Sequence, residues 1–452
     1  MTAAAIAATG FGSAATPAQA KSGSMPVIRD TEIENLLRDY ARPILKAAGL
    51  AQQNIKIVVL NERSFNAFVM DGRHIFVNAG ALFETRTPNE LIGVLAHETG
   101  HLAGGHLLRL REKLARAQTQ SIIAMLLGVG AMVAGARAGG SVGNIGAAAI
   151  AAPQSALQHS LLAYARTQED QADHAAIKFL TATHQSGKGM VDVFKRLSNE
   201  TLFSSRGMDP YLQNHPMPAD RVAALETMAR ASPYWNAKDP PALQLRHDLM
   251  RAKLSGFLER PDTVLRRYPE TNQSLPARYA RAIATYRNGS LTEAIPEIEG
   301  LIRSEPSDPY FYELKGQALL EGGHPSQAIA PLRRAVALSH HAPLISILLG
   351  QALIATKDKR YASEAVRLLR TAVQEEPEIP TAYEQLAMAY GRVGDLAHAD
   401  LASANAAFAR GDVKTAHLLA KRAKTRFPIG SPAWVRADDI VNTKVPHQGP
   451  IH

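Results

Sequence analysis

The sequence predicts a mainly α-helical chain in two parts: an N-terminal unit of helices with a small antiparallel sheet, then a C-terminal α-solenoid. Three observations carry this expectation. The chain has 452 residues, more than one core accommodates. A Pro-rich break, Ser232-Pro233 followed by Asp239-Pro240-Pro241, falls near its middle. Beyond the break a short pattern returns about every 34 residues.

Taken in order, residues 3–16 are small and apolar, and Ala18-Gln19-Ala20 is an A-x-A cleavage pattern. This predicts a cleaved secretory signal over residues 1–20 with Lys21 as the mature start, and hence an exported protein. The basic segment that opens such leaders is missing, which suggests a start upstream of Met1. The alternative is a disordered Ala-rich N-terminus. Residues 30–48 read as an amphipathic helix with Ile33, Leu36, Leu37, Ile44 and Leu45 on its apolar face. Three β-rich runs follow at 55–60, 66–70 and 74–78, with Asp71-Gly72 as a hairpin signal between the last two. A long helix then opens at Thr87-Pro88-Asn89-Glu90: a capping threonine, a proline at the first helical position, and a glutamate that completes a capping box. It is expected to run unbroken to about residue 117.

Residues 121–152 are apolar and rich in Gly and Ala. Their uncharged stretch before Arg137 is shorter than the ~20 residues that cross a bilayer. The segment reads as a hydrophobic hairpin or loop in peripheral contact with a membrane or substrate, or equally as a buried or disordered linker. Another helix covers about 161–182, and a helix-rich stretch continues to about 230.

In the second half Ala294, Ala328 and Ala365 recur at equivalent places. Each segment follows a turn: Asn288-Gly289, Gly322-Gly323 and Lys357-Asp358. Paired helices at this period are the mark of tetratricopeptide repeats, whose small residues let the two helices of a hairpin approach closely. Gly394-Asp395 keeps the phase and Gly411-Asp412 breaks it, as irregular terminal units do. The expected domains are an N-terminal unit over 28–232, repeats over 240–430 and a disordered tail over 440–452.

Composition narrows the chemistry. There is no cysteine, which removes disulfides, thiol catalysis and thiolate metal sites. The net charge of +9 is spread without a long basic run, so nucleic acid is not an expected partner. Any metal must be held by histidine and carboxylate, which suits catalytic zinc.

His97-Glu98-Thr99-Gly100-His101 matches H-E-x-x-H within the capped helix. At this spacing both imidazoles leave one helix face a turn apart, as a single tetrahedral zinc requires. Glu98 is placed to take a proton from the attacking water and pass it to the leaving amine. A third ligand is expected from Gln168–His174. On a helix Glu169 and Asp173 share a face with Ala172 and Ala176, and two acids facing a core are costly unless a cation neutralises them. Glu169 then binds zinc, one ion per chain, and Asp173 hydrogen-bonds a ligand imidazole. Asp170, His174, His106 and His159 are expected to be bystanders.

The Asn66-Ala67-Phe68 strand, the hairpin, His97-Glu98-Thr99-Gly100-His101 and Glu169 to Asp173 (E-x-x-A-D) together resemble the CAAX prenyl protease and heat-shock-protein-X family of gluzincin metallopeptidases. With a signal and C-terminal repeats, the chain over about residues 30–430 resembles the periplasmic β-barrel assembly-enhancing protease group. The resemblance implies a gluzincin-type zinc metallopeptidase domain and endopeptidase activity. It also implies a part in outer-membrane protein quality control, with misassembled outer-membrane proteins and the β-barrel assembly machinery as partners. The family's His-Pro…Arg element reads here His215-Pro216 to Arg221. His215 then serves either as a fourth, inhibitory zinc ligand or as a donor to the oxyanion, and Arg221 pairs with a carboxylate of the site or with substrate. The competing reading is a chaperone or scaffold that works through its repeats, with a largely self-inhibited metal site.

Overall fold

The structure, a computed structural model, describes residues 26–116, 143–203 and 210–443, without the side chains of 143–162 and 200–203. The expected signal, the tail beyond 443 and residues 117–142 lie outside the described residues. No described helix is long and apolar enough to cross a membrane.

Asp30 caps the first helix, α1 (Thr31–Ala47), by accepting from the Ile33 backbone N–H, and Ile33, Leu36, Leu37 and Ile44 are buried. Four strands follow the order β1-β2-β4-β3: β1 (Val27–Ile28), β2 (Lys56–Leu60), β3 (Ala67–Val69) and β4 (His74–Asn78). The Asp71 carboxylate accepts from the backbone N–H groups of Arg73 and His74 and closes the β3–β4 hairpin. Phe68 and Phe76 pair across it with stacked rings 5.4 Å apart.

The sheet is mixed, not wholly antiparallel as expected. After β2 the chain passes to the outer edge as β3, and the hairpin brings β4 back between them. β4 therefore runs parallel to β2, with Val59 opposite Val77. The central position of β4 agrees with the complete burial of Ile75 and Val77.

Helix α2 (Ala79–Glu84) leads to the motif helix α3 (Pro88–Ala103). Thr87 caps α3 as expected, accepting from Glu90 N–H. The capping box is not closed: Glu90 accepts instead from Arg86 N–H at 2.9 Å and pairs with Arg196 at 3.1 Å, so its carboxylate is drawn one residue further back. Nor does the helix run unbroken to 117. It stops at Gly104, Gly105 adopts φ +61°, and α4 (residues 106–116) starts in a new direction. Helices α5 (Gly143–Ala182), α6 (Lys188–Phe203), α7 (Pro210–Asn214) and α8 (Ala219–Arg230) complete the frame of the site.

Two glycines set how closely these helices pack. A Cβ on Gly93 would lie 2.6 Å from Met190 Cβ on α6, and one on Gly100 would lie 2.8 Å from the Ala172 carbonyl oxygen on α5. The helix faces thus meet almost backbone to backbone.

After the Pro-rich break come α9 (Pro241–Leu258), α10 (Pro261–Arg267), α11 (Leu275–Arg287) and α12 (Leu291–Ser304). They are followed by α13 (Pro309–Glu321), α14 (Pro325–Leu338), α15 (Pro343–Ala355), α16 (Ala362–Glu375), α17 (Pro380–Arg392), α18 (Leu396–Ala409), α19 (Val413–Lys424) and α20 (Pro432–Asn442). Ala294, Ala328 and Ala365 are fully buried where their helices pair. Gly316 and Gly350 give way to Leu332 and Leu369 of the neighbouring helix, one repeat apart.

Helix α9 belongs to both cores. Met250 and Leu254 pack with the sheet and α1, whereas Leu249 and Ala252 pack with α11 and α13. Between them Lys253 is buried, with its ammonium 2.6 Å from Asp30, 3.2 Å from Glu32 and 3.9 Å from Glu313. Tyr279 donates to Glu32, which gives α11 a hold on α1 as well.

Candidate metal centre

The site is built where α3, α5 and the segment joining α7 to α8 converge. His97 and His101 leave α3 from one face, with ring centroids 4.7 Å apart. Gly100 admits Ala172 against α3, so Glu169 and Asp173, flanking Ala172 on α5, reach the two imidazoles. Glu169 lies 3.4 Å from Nε2 of both histidines through separate oxygens. Asp173 Oδ1 stands 2.9 Å from His97 Nδ1, close but not aligned as a hydrogen bond. His215, fixed at the end of α7 by its N–H to the Tyr211 carbonyl, brings Nδ1 to 3.0 Å from Glu169 and 3.3 Å from His97 Nε2. Tyr211 lies against its ring at 4.6 Å. One donor atom from each of His97, His101, Glu169 and His215 falls within 4.8 Å of the others, and the four could hold a metal ion.

Arg221, at the start of α8, grips the acids from behind. It donates to both oxygens of Asp173 at 2.7 and 2.9 Å and to the Pro216 carbonyl at 2.8 Å, and its charge lies 3.0 Å from a Glu169 oxygen. Phe194 of α6 closes the other side, edge-on to His97 at 5.6 Å.

Burial sets the electrostatics. Glu98 is 1% exposed, and neither of its carboxylate oxygens has a hydrogen-bond partner. His215 Nε2 lies 3.6 Å from one of its oxygens, and burial raises the pKa of the carboxyl. Burial acts against the charged forms of Glu169 and Asp173 too, but His215 and His97 hold Glu169 well below the ordinary carboxylate range, and His97 and Arg221 hold Asp173 below it. His97 would be depressed by burial, yet Asp173 and Glu169 lift it to about 9. Burial and the neighbouring His97 drive His101 well down. A pocket with ionised Glu169 and Asp173, crowded imidazoles and an orphaned Glu98 carboxylate is the environment a divalent cation would complete.

His97, Glu98, His101, Glu169, Asp173, His215 and Arg221 are thus brought together. Asp170 and His174 are exposed and pair with each other at 3.5 Å. The side chain of His159 is outside the described set. His106, expected as a bystander, is not one of the four clustered donors, but it is 5% exposed and touches His101. Phe194 and Tyr211 carried no sequence signal.

Residues 28–229 match the model of Peptidase family M48. The chain is similar to the β-barrel assembly-enhancing protease of Yersinia pestis, at 22% identity over 426 residues, 92% of this chain and 84% of that protein. It is similar to the Escherichia coli protein of the same name at 22% identity, over 74% of this chain and 67% of that one. A Vibrio cholerae relative of that name is 25% identical over 64% of this chain, and the match spans 59% of the relative's length. By its site and by these likenesses, residues 28–229 resemble a peptidase family M48 domain and the chain resembles the β-barrel assembly-enhancing proteases over most of its length, which marks it as a metalloprotease.

Proposed function

We propose that the chain is a zinc-dependent endopeptidase in which His97, His101 and Glu169 hold one zinc and Glu98 is the general base. The observation that carries this reading is the meeting of those donors beside a buried carboxylate that has no hydrogen-bond partner. Zinc, when bound, polarises the scissile carbonyl and acidifies water. Glu98 takes one proton from the attacking water, and its raised pKa suits it to return that proton to the leaving amine. Asp173 orients His97, and Arg221 holds Asp173 and Glu169 in register. Glu98→Gln should keep about one zinc per chain and lose hydrolysis of unfolded casein by orders of magnitude. Undiminished hydrolysis in that variant would sink the mechanism.

We further infer a periplasmic enzyme, exported by a signal over 1–20, that degrades misfolded or stalled outer-membrane proteins and assists their assembly. In this reading the peptidase unit spans 28–232, and repeats over 240–430 recruit clients or the assembly machinery. The names of the relatives support this reading. A second reading, a chaperone or scaffold with a largely self-inhibited metal site, is favoured by one observation: His215 stands within the donor set itself. His215→Ala separates the roles by sign. Proteolysis rises if His215 blocks the site, and falls about 10²-fold or more if it is an oxyanion donor.

A further inference from the structure

The break between α3 and α4 has a consequence for the metal centre. On an unbroken helix His106, five residues beyond His101, would point roughly 140° away from it. The turn at Gly104-Gly105 instead folds the His106 ring onto His101, with the two Nδ1 atoms 3.0 Å apart and the rings at 87°. Gly104 has φ −71°, which any residue adopts, so its backbone does not require glycine. Space does: a Cβ there would stand 2.2 Å from His106 Nε2. Gly105, at φ +61°, supplies the change of direction. The Gln171 side chain is hydrogen-bonded to His106.

We propose that His106 is a positioning residue for the metal centre, accepting the Nδ1–H of His101 at its own Nδ1 and so fixing that imidazole with Nε2 toward the metal. The inference rests on the metal-site reading given above. The tautomers leave one arrangement. His101 Nε2 faces His97 Nε2 and Glu169, so a neutral, ligating His101 carries its proton on Nδ1. His106 Nδ1 must then be the acceptor, which places the His106 proton on Nε2. The two ligands are therefore supported differently, His97 by a carboxylate and His101 by a neutral ring. His101 is the less strongly polarised of the pair, and its orientation depends on a turn, not on a charge.

The test is zinc affinity of the full chain by competition with a chromophoric chelator, with folding checked by urea denaturation. His106→Phe fills the space without an acceptor, whereas His106→Asn offers an oxygen near the position of Nδ1. Zinc should still saturate at one per chain in both, with affinity reduced about 10–100-fold in His106→Phe and largely restored in His106→Asn. Gly104→Ala should weaken zinc like His106→Phe, yet have no added effect in a His106→Ala background. Wild-type affinity in His106→Phe, or equal losses in the Phe and Asn variants, would overturn the hydrogen-bonding role. The underlying reading is tested separately by His97→Ala. If that variant keeps full affinity, the metal site itself is misassigned; if it loses zinc while His106→Phe does not, only the role of His106 falls.

Discussion

Replacing Arg221 with methionine removes a guanidinium that braces both Asp173 and Glu169. The guanidinium makes three charge-assisted contacts to Asp173 and Glu169 and a fourth to the Pro216 carbonyl. Each is worth about 1.5–3 kcal/mol singly, but they share one group and do not add. Breaking a buried ion pair on one side typically costs about 3–5 kcal/mol, because a charge is left without its partner. Asp173 and Glu169 are 1% and 8% exposed at their side chains, so that range applies with little screening. Bound metal decides where within it the loss falls. With metal, Glu169 is already neutralised and only Asp173 is orphaned, for a loss of about 3 kcal/mol. Stripped of metal, both acids are exposed to each other's charge and the loss approaches 5 kcal/mol. Urea denaturation of wild type and Arg221→Met, each with and without chelator, reads the two values. Arg221→Lys restores the charge without the planar fork and should recover less than half. A loss under about 1 kcal/mol in the stripped protein would refute the bracing role.

Three further outcomes follow from the packing. Gly100→Ala sets a methyl against the Ala172 backbone, so α3 and α5 must separate; a cost of about 1–3 kcal/mol and weaker metal binding are expected in denaturation and chelator competition. Glu32 and Glu313 are pushed up to about 7 and about 8, chiefly by burial and against the pull of Lys253. They bind more protons folded than unfolded, so their contribution is full below the ordinary 4.5 and is lost as pH rises through 7–8. The urea midpoint should therefore fall between about pH 5 and pH 8.5, less steeply in Glu313→Gln; equal slopes would clear this cluster of the effect. Finally, a chain ended at residue 240 lacks Met250 and Leu254, whose loss from the core costs about 4–10 kcal/mol, as much as a domain's whole stability. Ended at 258 the chain should unfold cooperatively, and ended at 240 it should not; calorimetry distinguishes them.

The candidate metal donors were legible where one local rule placed them. His97 and His101 needed only the helical repeat, and Glu169 with Asp173 stood out as two acids on a small-residue face. The helical hairpins were legible through their turns, since Gly289, Gly323 and Gly394 all take positive φ between paired helices. His106 was missed because its seat depends on the helix stopping, and Gly104-Gly105 within an apolar, helix-favouring run does not announce whether it will stop. The sheet was misread because alternation identifies a strand but not its neighbour. Lys253 gave no sign of its role, because its partners Asp30, Glu32 and Glu313 come from both halves of the chain and meet only in the fold.

The lysine node also bears on how the molecule is made. Glu32 and Tyr279 are 247 residues apart, so at ~5–20 residues per second roughly 12–50 s separate their synthesis. Over that interval the chain acquires every donor of the candidate metal centre, the last support being Arg221, while α1 still lacks the helix that covers it. Translation order thus sets a delay between carrying the catalytic groups and holding them in a finished frame. A chain released early, before α9 and α11 exist, would carry a protease's residues without the scaffold that makes them one.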